Sequence, residues 1–291
     1  MAIELESIAT PVDFDYANPI ISDLTVTDAN LIIVQVMTKD GTAVLSVNRD
    51  DENFTLLTTA GYPDHTRVEI WYLLNPSPGT KPITVNIPAC EGICGAMGFV
   101  GVDVSDPIGD VQSFQAQATD HVHVTLHPQR TDSWLIAFVG EDTNESITCM
   151  YGEWGAYQIE AWELIVGGPP AGRKGAEATY QNTNVSTSND QGFDFGGTVL
   201  YSAMIAFEIK AAVPYSLTLE VDKAEGYVGD TFTFYGTLTQ NGTPISGATV
   251  VLYKDDASTD LSDITDDNGN YSIPWMADEV GTHEFYTEAT W

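Results

Sequence analysis

The sequence predicts an all-β protein, and three observations support that fold class. Helical periodicity is nearly absent from the 291 residues, whereas short runs rich in Val, Ile, Thr, Phe and Tyr recur along the whole chain. Clusters of Gly, Pro, Asn and Asp separate these runs at the spacing typical of β-sandwiches. Hydrophobic residues make up 43% of the chain, an ordinary share for a folded protein that excludes wholesale disorder.

Two of the predicted strands have informative patterns. The run LIIVQVM at 31–37 is apolar on both faces, which predicts a central strand covered on both sides. Residues 67–73 alternate instead, with Glu69 and Trp71 on the more polar face, which predicts a half-exposed strand. The predicted strands span residues 29–38, 43–47, 66–74, 83–87, 96–102, 121–126, 133–139, 156–164, 200–209, 217–222, 231–239, 249–253 and 284–290.

A domain boundary is predicted within KAAVPY, residues 210–215, where one strand pattern ends and a new one begins after a proline. It divides the chain into a large β-sandwich over residues 1–212 and a compact sandwich over residues 213–291. The Gly- and Pro-rich stretch 167–174 and the polar stretch 181–192 are predicted to be long surface loops of the first domain.

The second domain resembles the immunoglobulin-like domains of bacterial and archaeal surface proteins. The resemblance rests on YVGDTFTFYGTLT at 227–239, NGTPISGATVVLY at 241–253, TDDNGNYS at 265–272 and GTHEFYTEA at 281–289. The pairs Asn241-Gly242 and Asn268-Gly269 are turn sequences that tolerate positive φ. The resemblance implies an architectural module for spacing or adhesion.

The first domain resembles a jelly-roll β-sandwich module of secreted and phage-borne proteins. The matching segments are LIIVQV at 31–36, VEIWYLLNPSPGT at 68–80, PITVNI at 82–87 and GFVGVDVSDPI at 98–108. Such modules occur in adhesins, glycan-binding proteins and virion parts, so this resemblance implies a fold without choosing one function.

The charge of the chain excludes several classes of partner. It has 42 acidic and 10 basic residues, a formal net charge of −32. A surface this negative repels phosphate, so we expect no nucleic-acid partner. No apolar run approaches the ~18–20 residues that span a bilayer, so we expect no membrane insertion. Because the acids are dispersed along the chain, we interpret them as an adaptation to high salt, with calcium binding as the alternative.

Two clusters are candidate metal sites. In HVHVTLH at 121–127, His121, His123 and His127 fall on one face of a strand while the residues between them face the core. Asp266 and Asp267 belong to a second, oxygen-rich cluster of loop carboxylates that suits calcium. For both clusters we favour a structural interpretation, an exposed strand face and a turn, and we predict no cofactor.

Three cysteines, Cys90, Cys94 and Cys149, are too few for a disulfide scaffold or a structural zinc site. The spacing of Cys90 and Cys94 permits a small disulfide loop that leaves Cys149 over. We favour the alternative that all three are free and buried.

Aromatic and acidic residues around 150–165 raise the question of a glycosidase. Glu153, Glu160 and Glu163 lie near Trp154, Tyr157 and Trp162 in the sequence. Strict alternation, however, puts Glu163 on the opposite strand face from Glu160 and Trp162, so no carboxylate pair is singled out. The sequence contains no recognisable catalytic motif, and we predict a non-enzymatic protein.

Six aromatic residues are candidates for stacking on sugars or filling an interface. They are Trp71, Trp154, Trp162 and Trp275, with Tyr151 and Tyr157.

The features together predict a virion structural protein of a virus that infects a microbe, such as a capsid decoration, turret, tail or fibre component. The chain begins MAIELESIATPVDFDY, with acidic residues where a secretion signal carries basic ones, so we expect no export signal. The first domain is expected to dock onto other virion proteins or to form a homo-oligomer. The immunoglobulin-like domain is expected to project and contact a host-surface glycan or protein. The alternative is a secreted or cell-surface adhesin or glycan-binding module.

The interpretation of the charge as a salt adaptation predicts salt-dependent stability. Between about 0.1 M and 1 M salt the Debye length falls from about 10 Å to about 3 Å, so repulsion among the surface carboxylates is screened. We therefore expect the melting temperature to rise across this range in a thermal scan. A melting temperature that does not respond to salt would contradict the interpretation.

Overall fold

The structure is a computed structural model that describes residues 2–130, 132–143, 145–149, 158–166, 174–182, 185, 188–213, 215–240 and 242–290. By its internal contacts the chain divides into two units, Met1–Ala212 and Val213–Trp291. The described residues form strands, turns and loops and contain no helix, which confirms the predicted all-β class. In particular, no described segment is a helix long and apolar enough to cross a membrane.

The strands are numbered in chain order. Those of the first unit are β1 Glu4–Ile8, β2 Val12–Asp15, β3 Ile20–Ile21, β4 Thr25–Val26, β5 Leu31–Thr38, β6 Ser46–Arg49, β7 Glu52–Asn53, β8 Thr55–Gly61, β9 Arg67–Leu74, β10 Gly79–Thr80, β11 Ile83–Asn86, β12 Glu91–Val100, β13 Ile108–Leu126, β14 Trp134–Glu141, β15 Ile147–Cys149, β16 Ile159–Val166, β17 Lys174–Gln181 and β18 Asn189–Ile209. Those of the second unit are β19 Tyr215–Leu217, β20 Glu220–Val221, β21 Thr231–Gln240, β22 Thr243–Pro244, β23 Thr249–Lys254, β24 Ala257–Ile264, β25 Asn270–Met276 and β26 Phe285–Thr290.

Two large antiparallel sheets form the centre of the first unit. One has the order β1-β12-β5-β9-β8, with β2 also paired to β12, and the other has the order β13-β18-β14-β17-β16, with β15 paired to β18. Their facing sides bury one apolar cluster that includes Ile33, Met37, Ile136, Phe138 and Phe207. Burial of these large side chains is the main term that holds the two sheets together.

A smaller sheet of order β3-β11-β6-β7 contributes to a second core on the other side of β5. Ile32, Val34 and Val36 pack into that core, while the alternate residues of β5 face the other large sheet. Every residue of β5 is buried, which agrees with the prediction of a strand covered on both faces.

The prediction of a half-exposed strand at 67–73 is wrong. Glu69 and Trp71 of β9 are buried, because the smaller sheet and its loops cover the face that the alternation marks as polar. The Glu69 carboxylate is compensated there, since it accepts hydrogen bonds from Arg67 Nε at 2.6 Å, Trp71 Nε1 at 2.9 Å and the backbone N of Val44 at 3.2 Å.

The strands β13 and β18 form a long ribbon whose far part adds a further layer. Register shifts interrupt their pairing between Thr119 and His121. Beyond that irregularity Val122 and Leu126 pack on the outer face of the second large sheet, against residues that include Leu135 and Val139. A bulge in a long strand is a known way to bend it and cover a neighbouring face.

The structure does not confirm a jelly-roll arrangement for the first unit. A jelly roll is built from two Greek keys, whereas each large sheet here draws its strands from one continuous part of the chain, residues 4–100 or 108–209. The predicted loop at 181–192 is wrong at both ends, because Gln181 belongs to β17 and residues 189–192 belong to β18. Of the predicted loop at 167–174, residues 167–173 lie outside the described residues, and Lys174 begins β17. Of the strands with four or more residues, β1, β2, β8, β17, β24 and β25 were not predicted.

The second unit is a sandwich of two small antiparallel sheets. In one sheet β19 and β20 pair with one edge of β21, and β25 pairs with the other edge. The other sheet has the order β24-β23-β26. Among the described residues, one cluster of buried side chains fills the space between the sheets and consists of Phe234, Val250, Leu252, Tyr271 and Ile273.

Lys174, at the start of β17, connects the two large sheets of the first unit. The side chain is fully buried, and Nζ lies 2.8 Å from Asp13 Oδ1 and 2.9 Å from Asp15 Oδ1. Nζ also donates to the backbone O of Phe14 at 3.3 Å. These partners belong to β2, so one ammonium group joins β2 to β17.

Replacing Lys174 should therefore destabilise the first unit. In Lys174→Met the stem is kept, but two carboxylates lose their counter-charge and a carbonyl loses its donor, at an expected cost of about 1–3 kcal/mol in the free energy of unfolding. The matched control is Lys223→Met, since Lys223 is more exposed and lies 3.8 Å from its partner Asp230; we expect less than about 1 kcal/mol there. Equal losses in chemical denaturation would contradict the connecting role.

Candidate functional site

The second unit has an open cleft of ≈ 740 Å³ between residues 221–228 and 277–283. Its floor is aromatic and comes from three strands: Phe232 from β21, Trp275 from β25 and Phe285 from β26. The ring centroids of Trp275 lie 5.7 Å from those of Phe232 and 5.1 Å from those of Phe285. These distances are typical of favourable aromatic pairs, so the floor is a continuous apolar surface.

Two ammonium groups lie over the aromatic floor. Lys223 Nζ is 4.8 Å from the ring centroid of Phe232, and Lys254 Nζ is 5.3 Å from that of Trp275. Both distances suit cation–π attraction. Lys254 is also ion-paired with Asp278 and with Glu279, the latter at 2.5 Å, and Glu279 belongs to the cleft wall.

The rim of the cleft exposes large apolar side chains. Tyr227 is 85% exposed and Val280 is 91% exposed, and both line the cleft. Their loops are tied together, because Gly229 N donates to the Ala277 carbonyl at 2.8 Å and Ala277 N donates to the Asp230 carbonyl at 2.9 Å. The rim residues are thus held in place while they face solvent, as expected for a contact surface.

Gly229 explains why the first loop can form this rim. Its φ of 93° lies in the region that favours glycine. The turn is closed by Asp230, whose carboxylate accepts a hydrogen bond from the backbone N of Tyr227 at 2.9 Å. The Gly-Asp pair therefore orients Tyr227 outward.

A cluster of three glutamates lies on the outer face of the second large sheet. Between Glu160 and Trp162 the pairing of β16 with β17 contains a bulge, so Glu160 lies opposite Thr179 and Glu163 opposite Glu177. The predicted strict alternation of this strand is wrong. The bulge brings Glu160 and Glu163 to the same face as Glu177 and turns Trp162 to the other face.

Glu177 is fully buried among these carboxylates. Within the described part of the chain neither of its carboxylate oxygens has a hydrogen-bond partner. Burial, followed by the charges of Glu160 and Glu163, raises the pKa of Glu177 to about 8. Glu177 is therefore protonated at neutral pH, whereas Glu160 and Glu163 are exposed.

His121 and His123 are placed as the strand pattern predicts, exposed on one face with Val122 buried between them. Their rings stack with centroids 6.1 Å apart, and His121 Nδ1 lies 2.9 Å from Asp120 Oδ1. His127 follows the end of β13, and its backbone N donates to Asp110 Oδ2 at 2.6 Å. Among the described residues no group of three or more His, Cys, Asp or Glu side chains is arranged to hold a metal ion.

Asp266 and Asp267 organise a turn. Asp266 Oδ1 accepts hydrogen bonds from the backbone N of Asn268 at 2.8 Å and of Asn270 at 2.9 Å, and these bonds hold the pKa of Asp266 below its usual range. Asp267 Oδ1 accepts from Ser246 Oγ at 3.1 Å. The oxygens are thus used to shape the chain between β24 and β25.

The three cysteines are free thiols, as our interpretation predicts, but its prediction that all three are buried is wrong for Cys149. Cys90 and Cys94 are buried and Cys149 is half-buried. Burial raises the pKa of all three thiols, that of Cys90 to about 12 and that of Cys149 to about 11. Thiols with such raised pKa values are poor nucleophiles at neutral pH.

Of the aromatics predicted to contact a ligand, Trp71 and Trp162 are buried instead. Trp162 lies against Gly95, where a Cβ atom would come within 2.5 Å of the indole ring. The predicted residues Tyr151, Glu153, Trp154 and Tyr157 lie outside the described residues. Trp275 alone among the described candidates lines a cleft, and Phe232, Phe285, Tyr227 and Val280 were not predicted as site residues.

Comparisons with known proteins add little to this geometry. No protein-family model matches the chain, and no curated protein matches it. Among solved structures the D0-D1 domain of Intimin is similar in part, with 14% sequence identity and a TM-score of 0.23, over 62% of this chain and 90% of that chain. At that score the similarity carries no argument about fold or function.

The raised pKa of Glu177 predicts a pH-dependent stability. Between its ordinary value of 4.5 and about 8, the folded state binds one more proton than the unfolded state, so this group lowers the free energy of unfolding as pH rises. The variant Glu177→Gln has no carboxyl to titrate at this position. We expect its free energy of unfolding to exceed that of the parent protein by roughly 1–3 kcal/mol at pH 8.5 and by less at pH 5.

Urea denaturation across this pH range measures the difference. Glu160→Gln is the matched control on the same face, since it removes a repelling charge but leaves the Glu177 carboxyl to titrate. A Glu177→Gln protein whose stability falls with pH as steeply as that of the parent would contradict the assignment.

Proposed function

We propose that this protein is a non-enzymatic surface protein whose second unit contacts a partner through the aromatic cleft. The observation that carries the proposal is the combination of an apolar floor, built by Phe232, Trp275 and Phe285, with the outward-facing rim residues Tyr227 and Val280. Exposed aromatic and aliphatic side chains on a fixed loop are costly in a free monomer and useful in an interface.

The carboxylate cluster of the first unit supports a non-enzymatic role. A general acid must reach the atom that it protonates, but Glu177, the acid whose pKa is raised toward neutrality, is shut off from solvent. The cysteines are protonated and partly or fully buried, so they do not supply a nucleophile.

The setting we propose is the surface of a virion that infects a microbe, as a decoration, turret, tail or fibre component. The support is the resemblance of the second unit's sequence to modules of microbial surface proteins, together with a charge of −32 that disfavours nucleic acid. A secreted or cell-surface adhesin or glycan-binding module is the alternative, and it would use the same cleft.

Light scattering tests the setting. In the virion setting we expect a closed homo-oligomer in 1 M NaCl, with a mass that is a whole-number multiple of 31.5 kDa. A monomer in both 1 M and 0.1 M NaCl would contradict it. The adhesin alternative then predicts binding on a glycan array that Tyr227→Ala weakens, with Ile264→Ala as a control that changes an exposed apolar residue outside the cleft.

A further inference from the structure

One edge of the second unit is open. Across residues 215–240 and 242–290, which the structure describes, β26 pairs with β23 along one side and with no strand along its other side. Immunoglobulin sandwiches of the constant type pair a further strand at the corresponding place, because their smaller sheet has three strands in the order C, F and G. With β23 and β26 at the C and F positions, the G position is unfilled by described residues.

The open edge continues into the aromatic cleft. Phe285 is the first residue of β26 and also lines the cleft. The inward-facing residues of β26, which are Phe285, Thr287 and Ala289, are only partly buried. A strand added beside β26 would therefore cover apolar surface that the unit itself leaves half exposed.

The edge of β26 has only one of the features that usually prevent strand addition, the charge of the exposed Glu288. Natural edges carry lysines, prolines or bulges. The sequence of β26 is FYTEAT, and its pairing with β23 is continuous from Phe285 to Thr290. The pairing of β23 with its other partner, β24, by contrast, has a register shift between Val251 and Tyr253.

We propose that an extended segment of a basic partner protein, with alternating apolar and cationic residues, adds as a strand to the open edge of β26 and places an apolar side chain in the cleft. This proposal rests on the proposed function, since it uses the same cleft. Addition of a strand to a sheet edge is a recurrent mode of peptide recognition, in which the backbone gives affinity and side-chain pockets give specificity.

The negative charge of the second unit indicates that the added segment is basic. Residues 213–291 contain 14 acidic residues and only two basic ones, Lys223 and Lys254, and both of these are ion-paired. Glu225 and Glu279 line the cleft, and Glu288 is exposed on β26. A second copy of this chain would bring a like-charged strand to the edge, whereas a basic segment is attracted to it.

The test uses the full chain and labelled peptides. The probe is a capped octapeptide of alternating lysine and valine, and its binding is followed by fluorescence anisotropy in 0.15 M NaCl. Two derivatives are N-methylated, one at the lysines and the other at the valines. In an added strand only one of these two sets of N–H groups points to β26, so we expect one derivative to bind like the parent peptide and the other at least 10-fold more weakly.

The two N-methylated peptides carry the same charge, so each is a control for the other. If the acidic surface attracted them by charge alone, both peptides would bind with the same affinity. We also expect Val280→Ser at the rim to weaken binding at least 3-fold and Ile264→Ala to leave it unchanged. If both derivatives bind equally and Val280→Ser weakens both, strand addition is overturned and recognition by the cleft survives. If both bind equally and Val280→Ser has no effect, the proposed role of the cleft is overturned as well.

Discussion

The small number of basic side chains is the main constraint on this structure. The chain has 10 basic residues for 42 acidic ones, and each Lys or Arg that the structure describes lies within ion-pair distance of a carboxylate. The pairs are Lys39–Glu91, Arg49–Glu52, Arg67–Glu69, Lys81–Asp50, Arg130–Asp103, Lys174–Asp13 and Asp15, Lys210–Asp106, Lys223–Asp230, and Lys254–Asp278 and Glu279. Arg49, Lys174 and Lys210 are buried in this role, so these three cations connect parts of the fold and do not offset the negative charge of the surface.

Two buried glutamates show what happens where no cation is at hand. Glu208 is fully buried, and its carboxylate accepts hydrogen bonds from the backbone N of Asp110, Gln129 and Arg130 and from Ser133 Oγ. Neutral donors thus satisfy that carboxylate and fix the loop before β14. Glu177 is equally buried but has no such donors among the described residues, so protonation is the way in which it avoids an isolated buried charge.

The sequence was sufficient for some elements and insufficient for others, for physical reasons. The strand β5 was predictable because its residues are apolar on both faces. The strand β17 was not, since Lys174, Glu177 and Thr179 make it look polar although all three are buried. The faces of Glu160 and Glu163 depend on a bulge, which leaves no mark on the alternation of residue types. The cleft could not be derived either, because its floor joins side chains from three strands of two different sheets.

The same excess of carboxylates determines how the protein can associate. Copies of this chain repel one another, so their contacts must rely on apolar surface, and salt assists them by screening. A basic partner is attracted to the chain, so salt opposes its binding through the same screening. Self-association and the binding of a basic partner would therefore respond to ionic strength in opposite directions. Because the aromatic cleft contributes apolar burial that salt does not weaken, a partner that fills it keeps part of its affinity where purely electrostatic contacts lose theirs.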